Sequence, residues 1–129
     1  MKKWLWVMLA MLLLTACGQQ NEETQEANYM MNITAQEAKE IMDTREGYVI
    51  LDTRTQEEYD QGHIPGAVLL PYDEVLQKAE TILTDKNQLI LVYCRSGRRS
   101  KLAANDLVKL GYTNIREFGG IIDWPYETE

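Results

Sequence analysis

Cys94-Arg95-Ser96-Gly97-Arg98-Arg99-Ser100 places one thiol, three guanidinium groups and a glycine within a single short stretch. The apolar run Leu89-Ile90-Leu91-Val92-Tyr93 leads into it and a helical pattern follows. The thiol therefore belongs at the carboxyl end of a buried strand, where ligands of open α/β sheets bind. A helix amino terminus supplies free N–H groups and roughly half a positive charge. Together with arginine, that environment lowers a cysteine pKa from about 8.5 into the range ~3.5–7.5. A thiolate populated at neutral pH is a nucleophile, so the stretch reads as an activated cysteine facing an anionic substrate. Backbone N–H groups from Arg95 to Ser100 can curl around the sulfur as an anion-binding nest. Gly97 allows the left-handed or tight turn this needs, and Ser100 is expected to cap the helix that follows. Arg95, Arg98 and Arg99 are the candidate cations for the incoming anion.

The elements that must position this loop follow from the flanking pattern. Thr34, with Glu37 three residues on, signals a helix start by the capping-box rule, and Ala38, Ile41 and Met42 give that helix its apolar face before Gly47. Tyr48-Val49-Ile50-Leu51-Asp52 is a continuous apolar run ending in a polar residue, as in a parallel strand covered on both faces. A short helix is predicted over Thr55–Gln61, with Thr55 and Glu58 as a second capping pair. Gly62-His63-Ile64-Pro65-Gly66 has turn chemistry. A short strand follows at Ala67–Leu70, then a helix from Tyr72 to about Leu83, and the strand Gln88–Tyr93 that delivers Cys94. A helix over Ser100–Leu110, a strand over Thr113–Phe118, a turn at Gly119-Gly120 and a helical turn over Ile121–Trp124 complete the chain. Strands alternating with helices indicate α/β with a mainly parallel sheet.

The 129 residues suffice for one domain. Met1-Lys2-Lys3 is basic, and Trp4 through Leu14 is apolar but shorter than the ~20 residues of a membrane span. Leu14-Thr15-Ala16-Cys17 then completes a secretory signal layout and looks like a bacterial lipobox. That motif implies cleavage before Cys17, a diacylglyceryl thioether on its sulfur, an acylated amino group, and an extracytoplasmic protein anchored to a membrane. With Cys17 lipidated, Cys94 is the only free thiol and no internal disulfide can form. Residues 1–16 are thus expected to be a signal peptide, residues 17–30 a lipidated cysteine and polar tether, and residues 31–129 the folded domain. The formal net charge is −7. Loss of residues 1–16 removes Lys2, Lys3 and no acid, leaving −9. Nucleic-acid binding, which leans on broad positive charge, is not expected.

Three separated segments resemble the single-domain rhodanese sulfurtransferases. The first is Asp52-Thr53-Arg54 with Glu58-Tyr59 and Gly62-His63-Ile64-Pro65-Gly66-Ala67. The second is the Cys94–Ser100 loop, and the third is Gly119-Gly120 with Trp124. The resemblance implies a sheet of about five strands, mainly parallel, flanked by helices on both faces. It implies that Cys94 takes a sulfane sulfur from a donor such as thiosulfate, becomes a persulfide, and passes the sulfur to cyanide, a thiol or a protein thiol, with no metal or organic cofactor. Asp52 and Arg54 would brace the fold near the site. Glu58 is a candidate partner for Arg54, His63 would hydrogen-bond the backbone of its turn, and Trp124 would plug the core. Leu69 stands where the family often has Asn. The chain stops soon after Trp124, so one wall of the pocket is expected to be open or filled by a partner.

Two alternatives share this fold. Cell-cycle phosphatases, and arsenate reduction by a similar loop, use a wider Cys-x5-Arg arc. Here Arg99 gives Cys-x4-Arg, and no acid is evident to protonate a leaving group. A binding or sulfur-carrier module without turnover is the other. Thiol–disulfide exchange lacks a second free cysteine to resolve it.

Overall fold

Val49–Asp52 and Ile90–Cys94 lack the polar alternation of a half-exposed strand, and such strands must be covered on both faces. The structure, a computed structural model, describes residues 29–129 and covers them in that way. Strands β1 (Met30–Asn32), β2 (Val49–Asp52), β3 (Val68–Leu69), β4 (Ile90–Cys94) and β5 (Ile115–Gly120) form one parallel sheet in the order β1-β5-β4-β2-β3. Helices α1 (Ala35–Thr44), α2 (Gln56–Gln61), α3 (Val75–Ile82) and α4 (Arg98–Lys109) connect them. Alternate β4 residues serve opposite faces, as the two-residue period of a strand requires. Ile90 and Val92 pack with Leu51, Val75, Ala103 and Leu107 under α3 and α4. Leu91 and Tyr93 pack with Ala38, Ile50, Phe118 and Trp124 on the α1 side. Each fully buried aliphatic side chain contributes about 1.5–3 kcal/mol.

The topology fixes where a ligand can bind. From β2 the chain moves outward to edge strand β3, and from β4 it moves the opposite way to β5. The connections diverge between β2 and β4, which opens a crevice at their carboxyl ends. Asp52 and Cys94 are the residues at those ends.

Several boundaries differ from the sequence reading. A strand at Met30–Asn32 lies where the tether was expected to end, held by its pairing with β5. Polar Asn32 and an edge position hide such a strand from any hydrophobic pattern. Thr34 does accept the Glu37 N–H at 3.1 Å, whereas the full reciprocal capping box forms only at Thr55 and Glu58. Tyr72–Glu74 is a 3-10 turn ahead of α3. The Gly119-Gly120 pair, expected to turn, ends strand β5, with Gly120 opposite Cys94. A Cβ on Gly120 would overlap the Arg95 carbonyl and lie 2.6 Å from Ser96 Cα, so only glycine lets β5 run this close to the loop. The signal peptide, Cys17 and all but the last two tether residues lie outside the described residues.

A buried polar knot ties the crevice to the turn after α2. Asp52 is fully buried and Arg54 nearly so. Arg54 Nη2 reaches Asp52 Oδ2 at 2.7 Å and its Nε reaches Oδ1 at 3.0 Å, and Nη2 also donates to the Gly62 carbonyl at 2.7 Å. The Tyr93 hydroxyl donates to Asp52 Oδ2 at 2.5 Å while accepting the Ile64 N–H. Removing one partner of a buried pair leaves an uncompensated charge, a loss of roughly 3–5 kcal/mol. Asp52→Ala should lower the unfolding free energy by that amount in urea titrations, with the slope of the transition unchanged.

Candidate active site

Because β4 runs buried to its last residue, Cys94 enters the crevice from below and is only 1 % exposed. That is deeper than the arginine-rich loop suggested. The chain then turns back over the sulfur. Gly97 has φ 106°, in the left-handed region, a conformation open to glycine without strain. This turn aims the Gly97 N–H at Cys94 Sγ, 2.9 Å away. Helix α4 starts at Arg98 with Gly97 as its N-cap. Ser100 is therefore not the cap: it lies inside the first turn, fully buried, because the helix begins earlier than its polarity pattern indicated. Its hydroxyl oxygen is 3.4 Å from Sγ. Burial pushes the Cys94 thiol up, but hydrogen bonds from Ser100 and from the backbone N–H groups of Ser100, Gly97 and Ser96 outweigh it, leaving the thiol below its ordinary value.

The arginines divide their roles. Arg99 forms a fork with Glu58, Nη1 to Oε1 at 2.6 Å and Nη2 to Oε2 at 2.9 Å. Glu58 therefore pairs with Arg99 and not with Arg54, whose guanidinium is taken by Asp52. Arg98 is exposed, 6.0 Å above the Tyr72 ring. Arg95 is exposed, and its carbonyl accepts the Ile122 N–H. Ser96 is also exposed at the loop's crest. Amide hydrogens, more than guanidinium charge, thus hold the sulfur, while Arg95 and Arg98 stand at the rim.

His63 stays in its own turn. Its ring stacks on Tyr59 with centroids 3.8 Å apart, Nδ1 lies 3.0 Å from the Tyr59 carbonyl, and Nε2 lies 3.3 Å from Glu129 Oε1. None of these partners belongs to the Cys94 loop. Trp124 packs on Phe118 and Tyr126 in the core under α1. Beside it, an open groove of about 920 Å³ is lined by Met42, Tyr48, Ile64, Pro65 and Tyr126, with no residue of the loop. Among the described residues, no group of three or more His, Cys, Asp or Glu is gathered as a metal site.

Sequence reasoning missed Glu117. It is 2 % exposed and lies directly behind the loop. Its Oε1 accepts from the Ser100 hydroxyl at 2.6 Å and from the Gly119 N–H at 2.9 Å. The available signal was an acid in the middle of Ile115-Arg116-Glu117-Phe118, at a buried position of a strand.

The Arg99 fork holds the Glu58 carboxyl down, from 4.5 to about 2. A depressed carboxylate stabilises the fold above its unfolded pKa and loses that contribution as pH falls through the folded one. The stability difference between the wild type and Glu58→Gln should thus be greatest above about pH 4.5 and close toward pH 2. For a half-buried pair at the surface the full difference is roughly 0.5–1 kcal/mol, measurable by thermal unfolding across that pH range.

Comparison with known proteins agrees with this geometry. The profile of the rhodanese-like domain matches residues 34–125. The chain is 36% identical over 107 residues to YrkF of Bacillus subtilis (strain 168), provisionally named a sulfur carrier protein, covering 82% of this chain and 57% of YrkF. It spans little more than half of that relative. It is 40% identical over 73 residues to the thiosulfate sulfurtransferase PspE of Escherichia coli (strain K12), covering 57% of this chain and 70% of PspE. A solved rhodanese with anions from E. coli superposes with a TM-score of 0.60 at 35% identity, over 64% of this chain and 96% of that one. The Alr3790 protein from Anabaena superposes with a TM-score of 0.68 at 29% identity, over 77% and 90%. The chain belongs to the rhodanese-like domain family.

Proposed function

We propose that this protein is a sulfurtransferase that moves a sulfane sulfur from a thiosulfate-like donor to a thiophilic acceptor through a persulfide on Cys94. The observation that carries the reading is the sulfur itself, held 2.9 Å from the Gly97 N–H at the start of α4. In the first step the Cys94 thiolate attacks the outer sulfur of thiosulfate. The new Sγ–S bond forms as the donor S–S bond breaks, and sulfite leaves with the bonding pair. The outer persulfide sulfur carries the negative charge, and the nest of amides suits that anion as well as the thiolate. A cyanide ion or acceptor thiolate then attacks the outer sulfur, the Cys94 S–S bond breaks, and the thiolate returns. No external oxidant or reductant is required. Arg95 and Arg98 at the rim would meet the incoming dianion. Asp52, Arg54, Glu58 and His63 act by bracing the loop's surroundings.

The alternative of phosphate chemistry is disfavoured by Arg99, whose fork is occupied by Glu58 and so is not free to grip a tetrahedral oxyanion. A second reading, a sulfur carrier that forms the persulfide without turning over alone, is favoured by the likeness to YrkF. We also propose that Cys17 carries lipid and tethers the domain to a membrane outside the cytoplasm, on the strength of Leu14-Thr15-Ala16-Cys17.

Incubation with thiosulfate should add about 32 Da, one sulfur atom, to the tryptic peptide from Asn87 to Arg95, and cyanide should remove it. An adduct without catalytic turnover selects the carrier reading, and no adduct overturns both. Cys94→Ser should reduce thiosulfate–cyanide transfer to the background rate while keeping its thermal midpoint close to wild type. Full activity in that variant sinks the mechanism. An intact-mass spectrum of the membrane fraction should show a chain that starts at Cys17 and bears acyl groups. An unlipidated mature chain refutes the anchor and leaves the Cys94 chemistry standing.

A further inference from the structure

Glu117 is a buried carboxylate beside the nucleophile with no cation to neutralise it. Among the described residues, no lysine, arginine or histidine nitrogen lies within ion-pairing distance of it. Glutamates are almost never buried this fully unless paired. Its partners are the Ser100 hydroxyl at 2.6 Å and the Gly119 N–H at 2.9 Å, both on Oε1. The first distance is that of a charge-assisted O–H···O⁻ bond. The same Ser100 oxygen lies 3.4 Å from Cys94 Sγ. One hydroxyl hydrogen thus has two anionic claimants, and the shorter contact to Glu117 weakens the longer one to Sγ.

We propose, on the reading that Cys94 is the attacking nucleophile, that Glu117 is a positioning residue which keeps the sulfur basic by opposing, through Ser100, the positive field of the amide nest. A nest and a helix amino terminus stabilise a thiolate, but a thiolate loses intrinsic nucleophilicity as its pKa falls, with a Brønsted slope of about 0.4–0.5. The carboxylate acts in the other direction twice over. Its charge disfavours a second anion nearby, and it competes for the hydroxyl hydrogen that Ser100 also offers to Sγ.

The other charged or titratable groups around the sulfur do not supply this effect. Arg95, Arg98 and Arg99 are cationic, and Arg99 is paired with Glu58 of α2. Asp52 of β2 is neutralised by Arg54 and accepts the Tyr93 hydroxyl. Tyr72 lies under Arg98. Arg116, next to Glu117 on β5, donates to the Ile115 carbonyl.

The test is the pH dependence of iodoacetamide alkylation in the full-length chain, read by mass spectrometry on the Asn87–Arg95 peptide. This readout is independent of sulfur transfer. Glu117→Gln is isosteric and can still accept from Ser100. It should lower the thiol midpoint by about one pH unit, and it should cut the high-pH plateau rate about threefold. Glu117→Asp keeps the charge and should move the midpoint less than Gln does. A purely structural brace predicts no shift with Gln, and a carboxylate that accepts the thiol proton predicts a rise. Either result overturns the proposal. The wild-type chain gives a second reading whether or not the variants fold. The carboxyl ¹³C resonance of Glu117 should show an inflection at the Cys94 midpoint, and a flat resonance there also overturns it.

Discussion

An anion can sit inside a protein only where donors already point at it, because an isolated buried charge is too costly to keep. The rest of this site follows from that constraint. Cys94 is the last residue of a wholly buried strand, so water cannot supply those donors and the backbone must. The left-handed turn at Gly97 bends the loop until its amides face Sγ. Gly120 makes the bend possible from the other side, since no side chain there could coexist with the Arg95 carbonyl. Two glycines far apart in sequence thus build one ring of hydrogen-bond donors.

The charged groups are arranged to leave that ring undisturbed. Arg54 and Arg99, which could have collapsed onto a thiolate, are each tied into a carboxylate fork by Asp52 and Glu58. Planar bidentate pairs of this kind fix direction as well as distance. Both forks span elements: the first secures the end of β2 to the turn at Gly62, and the second joins α2 to the first turn of α4. The guanidinium groups hold the scaffold in shape, Arg99 adding a coulombic attraction for the sulfur, while the groups in contact with Sγ are neutral dipoles and Glu117 stands behind Ser100. Arg95 and Arg98 remain for the rim.

How much of this could be read from residues alone varied with the kind of interaction. Apolar runs announce buried parallel strands, so β2 and β4 and the placement of Cys94 at a carboxyl end were legible. So was the requirement for an unusual backbone at Gly97, because only glycine tolerates it cheaply. The capping box at Thr55–Glu58 was legible as well, being local. Pairing between distant side chains was not. Glu58 stands four residues after Arg54 yet pairs with Arg99, and Ser100 looks like a cap while serving as a bridge to Glu117. Such partners are chosen by the tertiary placement of α2 near the first turn of α4 and of β5 behind the loop, and no local pattern encodes them. Strand β1 was hidden for a related reason: an edge strand owes its existence to its neighbour, not to its own hydrophobicity.

The depth of Cys94 bears on which atom would do the proposed transfer. On the proposed function, a thiolate at 1 % exposure would favour a small, narrow donor such as the terminal sulfur of thiosulfate. On the proposed mechanism a persulfide would change this, because a sulfur–sulfur bond would carry the outer atom about 2.05 Å beyond Sγ. A bulky acceptor needs to reach only that atom. Loading would therefore be selective by size and charge, and unloading selective by whatever surface fits the rim. One buried residue can in this way discriminate among donors while leaving the choice of acceptor to the loop's exposed crest at Arg95 and Ser96.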